Sequence, residues 1–220
     1  MSASVAEWTQ VMNQARVKLT GVSDAALKGE LFDVLKEFYD KSSSWLETLA
    51  INILPNITTY DLIPTAGQIL RIVGIVQNDP TNPLTPQNIR GGTMPTIGTL
   101  VLTEVPGSTA SYGVTVALTV QLPVDKNGFP ITADDTLTIY STGILDGLLG
   151  RMMSVPNKSY TNQTMGLYHL KQFYVAANKA RVAALRQNAF GTQAWVYPQL
   201  FRTSGQRGGV SVGSDTSFKS

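Results

Sequence analysis

The apolar residues of this chain change period twice, from about 3.6 to 2 and back again. That switch narrows the folds open to the chain more than any other feature. Val5, Trp8, Val11, Met12, Ala15 and Leu19 recur every three or four residues, so they share one face of a helix. The spacing predicts a first helix over 4–19, with Ser4 as its N-cap, Glu7 completing a capping box and Gly21 as its stop. A second helix is expected from Ser23 or Asp24 to about Ser44, with Leu27, Leu31, Val34, Leu35, Phe38 and Trp45 toward the core. In the middle, Val114, Val116, Leu118, Val120 and Leu122 alternate with Thr115, Ala117, Thr119 and Gln121, the period of a strand. Further strands are expected at 47–54, 58–63, 68–76, 98–104 and 136–140, with turns at Pro55-Asn56 and Asn127-Gly128. Strands without intervening helices imply an antiparallel sandwich or barrel.

Helical period returns at Thr142, where Ile144, Leu145, Leu148, Leu149, Met152 and Met153 are apolar. Gly143, Gly147 and Gly150 line another side of that helix, where a neighbouring helix can approach closely, and Pro156 lies past its end. A long helix is expected over 162–190, with Phe173, Ala176, Ala177, Ala180, Ala183 and Ala184 on one face and Lys171, Lys179 and Arg186 on another. The fold class is therefore α+β. A bundle of about four helices (1–46 and 141–190) carries an inserted antiparallel β-sandwich or barrel domain (47–140). Between 77 and 97 lie Pro80, Pro83, Pro86, Pro95 and Gly91-Gly92, and the expectation there is a surface loop without regular structure that reaches a partner. Residues 191–220, with five Gly, five Ser and three Thr, read as an extended C-terminal arm. Trp195, Tyr197 and Phe201 would be its aromatic anchors and Arg202 and Arg207 its charged contacts.

The charge distribution is polar along the chain. Residues 1–146 carry 8 basic and 14 acidic side chains, whereas residues 147–220 carry 9 basic and 1 acidic. The basic end implies an acidic partner, either protein or nucleic acid. Charged residues make up only 15% of the chain, against about 25% in ordinary soluble domains. That shortfall points to surface covered by other subunits. Glu30, Asp33, Glu37 and Asp40 are spaced 3, 4 and 3 residues apart and are expected to form one stripe, solvated or facing a subunit, with Lys36 and Lys41 relieving the repulsion.

Chemistry-bearing patterns are scarce. With no Cys and one His, disulfides, thiolate catalysis and Cys-based metal sites are excluded. A Ser-His-Asp triad would need His169, but residues 147–214 contain no acid, and a helix-packing histidine is expected instead. Asp134 and Asp135 are adjacent, so on a strand they would face opposite ways. There is no Walker loop, GxGxxG or HExxH. No enzyme activity, cofactor or metal is expected. The longest apolar runs, such as Leu49 to Leu54, fall far short of the about 20 residues of a membrane span, and no membrane partner is expected.

The order of features resembles the head-to-tail adaptor, or connector, proteins of short-tailed bacteriophages. The resemblance rests on the helix end entering a strand at Phe38-Tyr39-Asp40-Lys41-Ser42-Ser43-Ser44-Trp45-Leu46-Glu47. It continues through the strand and turn of Asn52-Ile53-Leu54-Pro55-Asn56-Ile57-Thr58-Thr59-Tyr60-Asp61-Leu62 and through Gly67-Gln68-Ile69-Leu70-Arg71-Ile72. Gly147-Leu148-Leu149-Gly150-Arg151-Met152-Met153-Ser154-Val155-Pro156 and Tyr168-His169-Leu170-Lys171-Gln172-Phe173 are similar to the family's helical hairpin. It covers about residues 5–190. It implies a structural virion protein at the portal vertex, at the head–tail interface, assembled in the host cytoplasm. Such a protein forms a ring, typically dodecameric, between the portal and the tail nozzle or hub, to which fibres can attach. Genomic DNA passes through its channel without tight binding during ejection.

Taken with the charge pattern, these expectations give two faces. Glu30, Asp33, Glu37 and Asp40 of one subunit would meet Lys171, Lys179 and Arg186 of the next. The arm, through Trp195, Tyr197, Phe201, Arg202 and Arg207, would dock on the portal. The isolated chain is expected to be a monomer or loose oligomer that forms the ring on the portal. Two other functions compete: a DNA-binding module using the basic C-terminal third, and a particle-associated peptidoglycan hydrolase. Against the first, the basic residues are spread without a recognition-helix motif; against the second, no acid/base pair is identifiable.

Overall fold

A computed structural model describes residues 5–78, 87–88, 91–121, 131–133 and 136–186, which fall within one unit, Met1–Asn188. Helices α1 (Val5–Lys18) and α2 (Asp24–Ser42) come first. Strands β1 (Leu46–Ile53), β2 (Thr59–Asp61), β3 (Gln68–Asn78), β4 (Gln87–Asn88), β5 (Gly92–Thr96), β6 (Thr99–Leu102) and β7 (Ala110–Thr119) follow. Helices α3 (Thr136–Met153) and α4 (Gln163–Arg186) close the described chain. The architecture is mixed α+β, with strands between two pairs of helices.

Local signals set the helix ends. Trp8, Val11, Met12, Ala15 and Leu19 are all buried, the face their spacing predicts for α1. Gly21, at φ +84°, turns the chain after it. The Ser23 hydroxyl accepts from the Ala26 N–H and caps α2. Ser43 ends α2 in the left-handed region at φ 49°, its N–H donating to the Tyr39 carbonyl. The Asn162 side chain accepts from the Met165 N–H at 3.1 Å and caps α4. Ser4 and Asn127-Gly128 lie outside the described residues, as do positions 187–190 of the expected last helix.

The strands form two antiparallel sheets, one ordered β1-β7-β3-β4 and the other β2-β6-β5. Between β1 and β2, Asn56 adopts φ 64°, as a turn at Pro55-Asn56 requires. The two strands separate there into different sheets rather than pairing. The sheets meet near Gly92, where a Cβ would lie 2.7 Å from Ile75 Cδ1 and 2.9 Å from Leu100 Cδ1. β7 starts four residues before the expected Val114 and ends at Thr119, so the expected strand is shifted toward the N-terminus.

Two expectations are corrected. Residues 136–140 are not a strand but the first turns of α3. Their Thr, Ile and Tyr content suits a strand, yet Leu137, Tyr140 and Ile144 are spaced 3 and 4 residues apart and pack as a helical face. The Tyr140 ring lies 5.4 Å from Phe38, and Thr136 Oγ1 accepts a 2.7 Å bond from the Tyr39 hydroxyl. The proline-dense stretch 77–97, read as devoid of regular structure, contains the end of β3, all of β4 and β5. Pro95 is tolerated because β5 is an edge strand whose register breaks between Thr93 and Thr96.

Candidate assembly interface

The bundle is organised by the close approach of α3 and α4. A Cβ on Gly143 would lie 2.3 Å from the Ala176 Cβ, and one on Gly150 2.7 Å from Leu170 Cγ. At Gly147 it would meet the Phe173 ring at 2.6 Å and Val34 at 2.7 Å. The three glycines therefore admit α4, as the sequence suggests. The alanine face of α4 is consumed by the same contact: Phe173, Ala177 and Ala180 are buried. It packs α4 into its own bundle and leaves the opposite face outward.

Arg151 ties the bundle together electrostatically. Its two terminal nitrogens donate to Glu30 at 2.9 Å and Glu37 at 2.7 Å, joining α3 to two points of α2 that lie about two turns apart. The Tyr174 hydroxyl of α4 donates to Glu37 at 3.1 Å, and Lys41 sits 5.2 Å from the Tyr174 ring centre. Burial works to raise the Glu37 pKa, but the bonds from Arg151 and Tyr174 outweigh it and leave the carboxyl below its ordinary range. For Arg151, burial works downward, but the bonds to Glu37 and Glu30 dominate and its pKa is raised. Tyr174 is raised by burial and by its bond to Glu37.

This geometry splits the acidic stripe. Residues seven apart lie on one line of a helix, so Glu30 and Glu37 form one row and Asp33 and Asp40 another. The first row is half-buried and bound to the chain's own Arg151; the second is exposed. The four carboxylates thus do not present one uniform outward face. Lys171, Lys179 and Arg186 are all exposed on α4, without a salt bridge among the described residues. Trp195, Tyr197, Phe201, Arg202 and Arg207 lie outside the described residues.

The outward face of α4 carries a row that the sequence reading missed. Tyr168, Val175 and Val182 follow at seven-residue intervals, with relative exposures of 54%, 41% and 46%, and Leu167 and Leu185 beside them reach 67% and 73%. Lys171, Lys179, Arg181 and Arg186 are interleaved with these residues, and α4 contains no acid. A helix of a monomer normally turns charge outward and keeps its apolar residues for the core. Five large apolar side chains exposed along one helix, with cations between them, suit a surface that is covered in an assembly. The seven-residue spacing of Tyr168, Val175 and Val182 was the available signal, masked by the stronger alanine pattern on the other side.

His169 is buried and its Nδ1 lies 2.8 Å from Asp146 Oδ1 on α3. The histidine does pack between helices, and its acid comes from the preceding helix rather than from its own stretch. An open groove of about 310 Å³ between α1 and α3 is lined by Glu7, Gln10, Val11, Gln14, Leu137, Thr138 and Ser141. Its single carboxylate accepts a 3.2 Å bond from the Thr138 hydroxyl, which leaves no pair of opposed acids in it. Among the described residues no group of three or more His, Cys, Asp or Glu side chains is placed to hold a metal ion, and no helix is long and apolar enough to cross a membrane. Compared with protein-family models and with curated proteins, the chain gives no match.

Proposed function

We propose that the chain is a structural head-to-tail adaptor subunit of a short-tailed phage virion. It assembles with its own copies into a ring, most simply a dodecamer, between the portal and the tail nozzle. The observation that carries this reading is the outer face of α4, apolar and basic with no intervening acid. Such a face suits a neighbour that is apolar at its centre and acidic at its rim. The exposed Asp33 and Asp40 of a second copy offer part of that rim. In the same reading the two sheets close face to face as a sandwich. The segment 191–220 acts as the portal-docking arm through Trp195, Tyr197, Phe201, Arg202 and Arg207. Genomic DNA passes through the ring without tight binding.

The test is negative-stain imaging of the purified chain mixed with portal, for the native protein and for Val175→Glu with Val182→Glu. Both valines are substantially exposed, so the paired change should leave the melting transition in place. The expected outcome is ring-capped portal with the native chain and none with the variant. Rings that form equally well with both proteins would remove α4 from the interface. The cations of α4 favour one second reading, a DNA-binding module. It predicts instead a monomer that retards DNA in gels at physiological salt, with affinity falling steeply as salt rises.

A further inference from the structure

A second apolar surface lies where two loops of the β-part meet. The loop between β1 and β2 carries Leu54 and Ile57, and the loop between β6 and β7 carries Glu104 and Val105. All four are exposed, the three aliphatic side chains at 47%, 42% and 63% in chain order. Loops ordinarily turn polar groups to water. Here the backbone is held so that it cannot turn these side chains in. The Tyr60 hydroxyl accepts from the Leu54 N–H at 3.0 Å and donates to the Ile57 carbonyl at 2.8 Å, which fastens the turn at both ends. The Asn56 N–H donates to the Pro106 carbonyl at 3.0 Å and joins one loop to the other. At their base the Leu102 N–H donates to the Thr58 carbonyl at 2.8 Å. Leu54, Ile57 and Val105 therefore form a knob on a fixed backbone, and seating it on a partner costs little ordering entropy.

Charge narrows what the knob fits. Glu104 makes no ion pair among the described residues. Residues 46–78 and 91–121 contain one cation, Arg71, which is bonded to the Ser43 hydroxyl of the α2 cap. A fitting partner is apolar at its centre with cations beside it. The outer row of α4 has that composition, with Lys171, Lys179, Arg181 and Arg186 set among its apolar residues and no acid in the helix. Pairing either patch with its own copy would set like charges together, and nucleic acid would be repelled by Glu104. Pairing the knob with α4 brings unlike charges together.

We infer that Leu54, Ile57 and Val105 of one copy seat on the α4 row of Tyr168, Val175 and Val182 in the next copy, with Glu104 toward the cations of that helix. α4 packs on α2 and α3, whereas the knob stands on loops between strands, so the two patches are different places on one chain. A contact between different patches is heterologous, repeats head to tail and closes as a ring. The inference rests on the ring reading above and adds which surface of the neighbour α4 receives.

The experiment images the purified full-length chain mixed with portal in four forms: native, Ile57→Lys with Val105→Lys, Val175→Glu with Val182→Glu, and all four changes in one chain. The four positions are exposed, so the melting transitions should be retained. The native chain should cap the portal with rings, and each paired change alone should abolish them. In the chain with all four changes, lysines of one copy face glutamates of the next, and rings should return. Rings that survive the lysine pair while the glutamate pair still blocks them overturn the inference and leave the adaptor reading standing. Failure of the four changes together to restore rings that each pair abolishes does the same. A native chain that never forms rings overturns both.

Discussion

Gly143→Ala separates local helix preference from tertiary packing in a single change. In an isolated helix, Ala in place of Gly is worth about 1 kcal/mol of stabilisation. Here the added Cβ would sit 2.3 Å from the Ala176 Cβ, an atom fixed to backbone that has no rotamer to escape into. Carbon atoms prefer about 3.5–4.0 Å, so α3 and α4 must part by about 1.2–1.7 Å at this point. The same movement loosens the neighbouring contacts of Gly147 with Phe173 and Val34 and of Gly150 with Leu170. Overpacking of this kind costs about 1–3 kcal/mol, and the rigid geometry places it at the upper end. After the propensity gain, the expected net loss is about 2 kcal/mol, or a fall in melting temperature of about 4–8 °C for a chain of this size. Ala176→Gly alone should cost about 1 kcal/mol. Combined with Gly143→Ala it should restore near-native stability, a coupling of about 2–3 kcal/mol in a double-mutant cycle. Thermal melts of the four proteins measure this. A Gly143→Ala variant that melts higher than the native chain, or a cycle without coupling, would refute the close approach of α3 and α4.

Glu37→Gln keeps the shape but leaves Arg151 with one carboxylate; it should cost about 1–2 kcal/mol in urea unfolding at neutral pH. Because the Glu37 pKa is lowered on folding, its contribution is full above the ordinary value of 4.5 and is lost as the pH falls through the folded-state value beneath it. The native and Glu37→Gln proteins should therefore converge in stability as the pH drops through that window, and a gap that stays constant would contradict the ion pair. Tyr39→Phe removes a buried hydroxyl that donates to Thr136 at 2.7 Å and accepts from the Ala133 N–H at 3.3 Å, and should cost about 1–2 kcal/mol in the same assay. Burial pushes the Tyr39 phenol up to about 12, so ultraviolet titration of the folded protein should show one tyrosine ionising near there. Ionisation of every tyrosine near pH 10 would mean the ring is not enclosed.

Most of the secondary structure is legible in the residues alone, because periodicity and caps are local. The face of Trp8, Val11, Met12, Ala15 and Leu19, the Ser23 cap and the alternation through Val114, Val116 and Leu118 each depend on neighbours only a few residues away. The sequence also marked Gly143, Gly147 and Gly150 as a place of close packing, although not what would pack there. Tertiary structure decided the remainder. Residues 136–140 have strand-like chemistry and became helix because Phe38 and Tyr39, about a hundred positions earlier, lie where Tyr140 and Thr136 can pack and bond as parts of a helix. Pro95 entered a strand because that strand is an edge, and edge position belongs to the sheet and not to the residue. Glu30 and Glu37 left the acidic stripe because Arg151, far along the chain, folds between them. The outer row of α4 became an interface candidate only once its alanine side was seen to be spent on α3. An apolar residue's spacing says which residues share a face, whereas burial depends on what the rest of the chain brings to that face.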